Sequence, residues 1–311
     1  MIFLPFAVFF YLISDHRGGT GKIKAERERE FLCCWVGREK TRERTGKIKA
    51  ERERERVLVL LGRWRENERE MGAIKGAIVD GILTCMWVFS VPLLGVFSSI
   101  IATNVGVEAM SIAGLFITIN VAALFMLTFS LIGASCGGAS FNPATTITLY
   151  TAGLKPDASL MSMALRFPVQ AAGGVAGAMA ITEVMPKQYR YVLRGGPSLK
   201  VDLHTGAIAE GVLTFLICLA LHFVLLKGPK NFVLKVWLLA VATVGLVMAG
   251  GKYTGPSMNP ANAYGWAYLS NRHTTWDFFY VYWICPFIGA TLAALISKFL
   301  FKAPPIKDKK A

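Results

Sequence analysis

The tripeptide Asn-Pro-Ala occurs twice in this 311-residue chain, as Asn142-Pro143-Ala144 and as Asn259-Pro260-Ala261. Asparagine is a preferred helix N-cap and proline suits the first helical position, so each triplet predicts the start of a helix. A helix that starts inside a membrane presents free backbone N–H groups and the positive end of its dipole. Two such starts, one in each half of the chain, predict two short helices that meet at the membrane midplane and line a pore.

The composition is that of a membrane protein, because apolar residues make up 54% of the chain and charged residues only 17%. The formal net charge of +14 can indicate nucleic-acid binding. After residue 71, however, the basic residues lie between apolar runs and at the C-terminus, which membrane topology explains better. The six cysteines lack metal-site spacing and read as small apolar side chains. We therefore expect a lipid bilayer around the chain, with no nucleic acid, metal or cofactor.

Residues 1–70 differ from the rest. Residues 20–30 recur as residues 45–55, and strict Arg-Glu alternation provides no apolar face for a helix or a strand. The opening apolar run, 1–13, is too short to span a bilayer. We expect 1–70 to be a low-complexity region, either a disordered extension or the product of a start codon misassigned upstream of Met71. The membrane domain is expected at 71–311.

Six apolar segments of about 20 residues follow, each long enough to span a bilayer. They cover 77–101, 110–132, 160–184, 206–227, 233–250 and 276–300. The Asn-Pro-Ala stretches come after the second and the fifth segments, and each is about half a span long. Three spans and a half-span, repeated, indicate an internal inverted repeat. The fold predicted is all-α, with six transmembrane helices and two re-entrant half-helices.

An acidic residue marks the first span of each half. Asp80 opens the run Asp-Gly-Ile-Leu-Thr, and Glu210 opens the run Glu-Gly-Val-Leu-Thr. Ionisable groups within spans are costly unless other groups satisfy them. Both acids are therefore either buried and partnered, or exposed to solvent at a helix end.

Together these features resemble the aquaporin (major intrinsic protein) family. The likeness is carried by the twin triplets, the acid-x-x-x-Thr marks and the last-span run Tyr-Trp-Ile-Cys-Pro-Phe-Ile-Gly-Ala at 282–290. Three stretches, 195–199, 204–210 and 250–261, are most similar to the plant small basic intrinsic proteins. The resemblance covers 71–311 and none of the first 70 residues. It implies an aquaporin-like fold and a homotetramer with one pore per subunit.

The resemblance implies a channel for water, and for small neutral solutes, rather than an enzyme. Asn142 and Asn259 would cap the half-helices with their side-chain oxygens and direct their amide N–H₂ groups at the pore. The positive helix ends would exclude cations. Asp80 and Glu210 would be structural buried acids that accept hydrogen bonds from the backbone around the half-helices.

The selectivity filter departs from the pattern of the water-selective members. Asn262 stands where most members carry Arg, and Val247 stands where water-selective members carry His. The filter position before the second triplet is Pro256, and the second-span position lies between residues 117 and 125. Ser140 replaces another His that is common in the family. A neutral and fairly apolar filter makes hydrogen peroxide or glycerol plausible permeants beside water.

Two other classes of function stay open at this stage. The run Gly-Ala-Ser-Cys-Gly at 133–137 matches the G-x-S-x-G pattern, which would make Ser135 the nucleophile of an intramembrane serine hydrolase. Its base would have to be His222, since this is the only histidine well inside a predicted span. The small residues are better explained by the re-entry of a half-helix, and Gly173 and Gly177 by close helix packing. The third class is a structural membrane protein that does not conduct.

The last five residues, Lys-Asp-Lys-Lys-Ala, place Lys307 and Lys309 five and three residues from the end. This arrangement resembles the Lys-x-Lys-x-x retrieval signal of the endoplasmic reticulum, an address that a receptor reads. A plain basic cytosolic flank is the alternative. The sequence thus favours the endoplasmic reticulum membrane over the plasma membrane.

Overall fold

The computed structural model describes residues 33, 51, 54–56, 58–59, 71–155, 159–193 and 196–301. The chain divides into two compact units, Met1–Glu68 and Arg69–Ala311. The few described residues of the first unit are helical. Most of the predicted low-complexity region, and the predicted retrieval signal with Lys307 and Lys309, lie outside the described residues.

Within its described residues, the second unit consists of helices joined by turns and loops and contains no strand. Its helices are α1 Met71–Asn104, α2 Ile112–Ser135, α3 Pro143–Ala152, α4 Leu160–Val184, α5 Leu203–Leu226, α6 Phe232–Gly250, α7 Pro260–Leu269 and α8 Trp276–Phe301. A 3₁₀ segment, Lys187–Val192, follows α4, and α8 contains a short π-helical stretch at Tyr280–Ile284. The predicted pattern of six long helices and two short ones is confirmed.

Within the described residues, five helices are both long and apolar enough to cross a membrane: α1, α2, α5, α6 and α8. Helix α4 has 25 residues and coincides with the third predicted span, 160–184. It is less apolar than the other five because it carries Arg166 and Gln170 in its first half. Both side chains are buried, so these polar groups face the protein rather than lipid.

The two half-helices are held by long helices of the opposite repeat. Helix α4, from the first repeat, packs against the half-helix α7 of the second. Helix α8, from the second repeat, packs against the half-helix α3 of the first. Because each half-helix packs on a long helix of the other repeat, the N-terminal ends of α3 and α7 meet inside the bundle.

Glycines allow the helix backbones to approach closely. A Cβ atom added at Gly173 or Gly177 of α4 would overlap a backbone carbonyl oxygen of α1. A Cβ atom at Gly289 of α8 would likewise overlap the carbonyl oxygen of Gly211 in α5. The close packing predicted from Gly173 and Gly177 is therefore confirmed, and it recurs in the second repeat.

Candidate pore site

Each half-helix begins at the proline of its triplet and is capped by the preceding asparagine. The Oδ1 atom of Asn142 accepts a hydrogen bond of 2.9 Å from the backbone N–H of Ala144. The Oδ1 atom of Asn259 accepts bonds of 3.1 and 3.3 Å from the backbone N–H groups of Ala261 and Asn262. These caps satisfy N–H groups that would otherwise be free at the start of each helix.

The two asparagines also bind each other's loops. The Nδ2 group of Asn142 donates to the carbonyl oxygen of Met258 at 2.9 Å, and that of Asn259 donates to the carbonyl oxygen of Phe141 at 3.0 Å. Each acceptor belongs to the residue directly before the other asparagine. Because a primary amide has two N–H donors, one hydrogen of each amide holds the halves together. Among the described residues, the other hydrogen of each amide has no hydrogen-bond acceptor.

Met258 adopts a strained backbone conformation at this junction. Its φ angle is +50°, in the left-handed region that non-glycine residues seldom occupy. Its N–H donates to Oε1 of Glu210 at 2.6 Å, and its carbonyl oxygen accepts from Asn142. Hydrogen bonds at both ends of the residue therefore hold a conformation that costs of order 1–3 kcal/mol.

Glu210 is completely buried behind the second triplet. Its Oε1 atom accepts from the backbone N–H groups of Ser257 and Met258 at 3.0 and 2.6 Å, and its Oε2 atom accepts from the hydroxyl of Thr254 at 2.8 Å. The exposed helix-end alternative is therefore wrong for Glu210. The carboxylate holds the loop that leads into α7.

Asp80 is also completely buried, so the exposed alternative is wrong for this acid too. Its Oδ1 atom accepts from the backbone N–H of Ser140 at 2.9 Å. Its Oδ2 atom accepts from Nη1 of Arg166 at 2.7 Å and from Nε2 of Gln170 at 3.0 Å. Gln170 also donates to the carbonyl oxygen of Ser140 at 3.0 Å, so the Ser140 backbone is held on both sides.

Sequence reasoning missed Arg166 and Gln170. A signal was present, because a cation inside a predicted span requires a counter-ion and Asp80 was an available acid. It also missed the role of Ser140, whose hydroxyl donates to the carbonyl oxygen of Asn142 at 3.2 Å. Through this hydroxyl, the Asp80 network reaches the first triplet.

Aromatic rings support the first triplet from the other side. Phe141 stacks on Trp87 of α1 with ring centroids 4.4 Å apart, and Phe129 of α2 contacts both rings edge-on. Phe141 carries the carbonyl oxygen that accepts from Asn259. Ring packing therefore positions an acceptor of the cross-repeat pair.

The structure brings two of the three proposed filter residues to one cavity. Pro256 and Asn262 line a cavity of about 250 Å³ together with α1 and the connection after the 3₁₀ segment. Val247 is not part of the lining of this cavity, and the residue is 41% exposed. Asn262 donates from Nδ2 to the hydroxyl of Ser257 at 3.1 Å, while its buried Oδ1 has no partner within the described residues.

The geometry does not support the hydrolase alternative. The hydroxyl of Ser135 donates to the carbonyl oxygen of Ile132 in its own helix, at 2.8 Å. The ring of His222 is buried and contacts Ser297 at 2.7 Å and Thr148 at 3.4 Å. Each side chain therefore has other partners, and the two form no hydrogen bond with each other.

Comparison with known proteins gives an independent result. The family model described as "Major intrinsic protein" matches residues 68–297. The chain belongs to the major intrinsic protein family. As a member of this family of water and small-solute channels, it is a multi-pass membrane channel.

Relatives named as aquaporins match about three quarters of the chain. "Aquaporin SIP1-1" of Zea mays is 51% identical over 245 residues, which cover 78% of this chain and 99% of the maize protein. "Aquaporin SIP1-1" of Oryza sativa subsp. japonica is 49% identical over 241 residues, covering 77% and 98%. "Aquaporin SIP1-1" of Arabidopsis thaliana is 44% identical over 240 residues, covering 77% and 98%. The likeness to the small basic intrinsic proteins is thereby confirmed.

The fold also matches a solved channel structure. The aquaglyceroporin from Plasmodium falciparum superposes with a TM-score of 0.57 at 17% identity, covering 73% of this chain and 96% of that one. At this level of identity the match concerns the fold alone. It agrees with the inverted repeat of six spans and two half-helices predicted from the sequence.

Proposed function

We propose that this channel conducts water and small neutral solutes such as hydrogen peroxide or glycerol through a pore between Asn142 and Asn259. The arrangement of these two amides supports the proposal most directly. Each uses one N–H to hold the opposite loop and keeps one for a molecule in the pore. A water molecule that accepts from both amides cannot keep a continuous hydrogen-bonded chain with its neighbours, and the positive helix ends repel cations.

The chemistry of the proposed filter supports a range wider than water. Pro256 and Asn262 are neutral, and both line the same cavity. The Asn262 side chain is an uncharged amide with both donor and acceptor atoms, which suits a polar neutral solute. Arginine would instead add a permanent charge, five donors and considerable bulk to a narrow opening.

The substitution Asn262→Arg is expected to narrow the solute range. Glycerol and peroxide permeability should fall roughly tenfold relative to water permeability, which corresponds to about 1.4 kcal/mol of added barrier. Proteoliposome swelling under osmotic and solute gradients, with a fluorescent peroxide probe, measures this ratio. Asn262→Gln, which changes size but not charge, is the matched control. An unchanged solute-to-water ratio in a correctly assembled Arg variant would contradict the filter assignment.

We propose further that residues 71–311 carry the channel and that residues 1–70 are dispensable for it. Both repeat halves lie within 71–311, and the family match begins at residue 68. A homotetramer with one pore per subunit is proposed from the family resemblance. Many large apolar side chains on α1, α2, α5 and α6 are exposed in the single subunit, and lipid or neighbouring subunits would cover them.

Residence in the endoplasmic reticulum membrane is proposed from the C-terminal lysines. Replacing Lys307 and Lys309 with serine is expected to release a tagged chain to later compartments, since a retrieval receptor would lose its ligand. Fluorescence imaging beside a reticulum marker measures the change. Serine at Lys298 and Lys302 is the matched control, because it removes the same charge outside the signal. The proposal fails if the unaltered chain already resides in the plasma membrane.

A further inference from the structure

A buried arginine lies behind the first triplet, and a neutral residue takes the corresponding place behind the second. Gly173 of α4 contacts Gly81 in the first repeat, as Gly289 of α8 contacts Gly211 in the second. Seven residues before these two glycines the chain has Arg166 in α4 and Tyr282 in α8. The Tyr282 hydroxyl donates to the carbonyl oxygen of Thr254 at 2.9 Å, so it reaches the Glu210 network without a charge.

The two buried acids therefore differ in their partners. Asp80 forms an ion pair of 2.7 Å with Arg166, whose side chain is also hydrogen-bonded through Nε to Ser162 at 3.0 Å. Among the described residues, Glu210 accepts from neutral donors only, namely two backbone N–H groups and one hydroxyl. A carboxylate beside the start of a helix opposes the positive end of the helix dipole. At α3, the positive charge of Arg166 offsets the negative charge of Asp80. At α7, no cation among the described residues pairs with Glu210 to offset its negative charge.

We propose that Arg166 is a specificity-determining residue of the channel. By neutralising Asp80, it leaves the positive end of α3 uncompensated, and this end then excludes cations at Asn142. The inference rests on the proposed channel function. In this proposal, the buried cation Arg166 affects ion selectivity without lining the pore. The proposed filter residue Asn262 carries no charge.

The ion pair is close enough to act on the pore. Asp80 accepts from the backbone N–H of Ser140, two residues before Asn142, so the Asp80 carboxylate lies within about 10 Å of the Asn142 backbone. Asp80 is completely buried and Arg166 is 9% exposed, so water screens their charges little. A unit charge at that distance, in the effective dielectric of a protein, changes the local concentration of a monovalent cation by about tenfold.

The test compares ion leak with water flux in proteoliposomes that contain the full chain. Stopped-flow swelling measures water permeability, and entrapped fluorescent dyes measure potassium and proton leak. Arg166→Gln keeps an N–H donor for Asp80 but removes the cation, and it should raise the ratio of cation leak to water flux about tenfold. Asp80→Asn combined with Arg166→Gln removes both charges and should return the ratio to the unsubstituted value. Tyr282→Phe, at the aligned position of the second repeat, should not change the ratio.

A purely structural role would give a different pattern, because both Arg166→Gln and the double variant would then lose packing and lose water flux together. The inference is overturned if Arg166→Gln conducts water without added cation leak, or if the double variant leaks as much as the single one. If Arg166→Gln does not assemble, Asp80→Asn alone decides, since it leaves Arg166 unopposed and should lower cation leak and admit chloride. Unchanged ion selectivity in Asp80→Asn would then overturn the inference. An unsubstituted chain that conducts no water would instead overturn the proposed channel function.

Discussion

Gly174→Ala is expected to prevent the protein from assembling in its native fold. A Cβ atom at Gly174 of α4 would overlap the carbonyl oxygen of Ala261, and one at Gly265 of α7 would overlap the carbonyl oxygen of Gly174. Both obstacles are backbone atoms of packed helices, which cannot turn aside as a side chain can. Overpacking of this kind costs about 3 kcal/mol, a large part of the stability of a typical domain.

Size-exclusion chromatography of detergent-extracted, fluorescently tagged protein, followed by a thermal ramp, measures this loss. Gly245→Ala is the matched control, because an added Cβ there meets no atom within 4 Å and the residue lies inside helix α6. The control should be neutral or slightly stabilising, since alanine favours a helix over glycine by about 1 kcal/mol. Equal behaviour of the two variants would show that α4 and α7 do not pack with their backbones in contact.

Glu210→Ala is expected to lose both folded protein and water permeability. It would leave the backbone N–H groups of Ser257 and Met258 and the hydroxyl of Thr254 without their acceptor. Each unsatisfied buried group costs roughly 1–3 kcal/mol, so the total is roughly 3 kcal/mol or more. Met258 would also lose one of the two hydrogen bonds that hold its left-handed backbone, and with it the acceptor position for Asn142.

Glu210→Gln is the matched control for this prediction. Its side-chain oxygen can accept both backbone N–H groups, and its amide can donate to the oxygen of Thr254. The loss of stability should then stay below about 1.5 kcal/mol. Thermal stability in detergent and swelling of proteoliposomes measure the pair of variants. If Glu210→Ala and Glu210→Gln destabilise the protein equally, hydrogen-bond acceptance does not explain why Glu210 is buried. The negative charge of the carboxylate would then be the property that stabilises the fold.

The local features of this fold could be predicted from the sequence because they depend on neighbouring residues. An apolar run of about 20 residues predicts a span, and Asn followed by Pro predicts a capped helix start; the helices found at Pro143 and Pro260 agree with this. The two half-spans and the repeated acid marks predicted the inverted repeat. A helix also occupies the third predicted span, 160–184, although it is less apolar than the other long helices.

The contacts between helices could not be predicted in the same way. The hydrogen bond from Asn142 to Met258 and the ion pair from Arg166 to Asp80 join residues 116 and 86 positions apart. Hydrophobic periodicity predicts which face of a helix is buried. It does not predict how far that helix is shifted along its axis relative to a neighbouring helix. The left-handed backbone of Met258 carries no sequence signal either, because such conformations usually indicate glycine. Sequence reasoning therefore predicted the helix caps at Asn142 and Asn259, but not the carbonyl oxygens that their amides bind or the ion pair at Asp80.

The hydrogen bonds that each asparagine amide donates to the other repeat's loop also constrain the order of assembly during synthesis. Chains are made from the N-terminus, so the first repeat enters the membrane before the acceptor at Met258 exists. Contacts of such large sequence separation form late, after the intervening chain has been ordered. Until α7 arrives, the amide of Asn142 and the carbonyl of Phe141 lack their partners in a medium that offers few others. A nascent chain that stops halfway would therefore expose unpaired polar groups within the bilayer, a signal by which membrane quality control could recognise it.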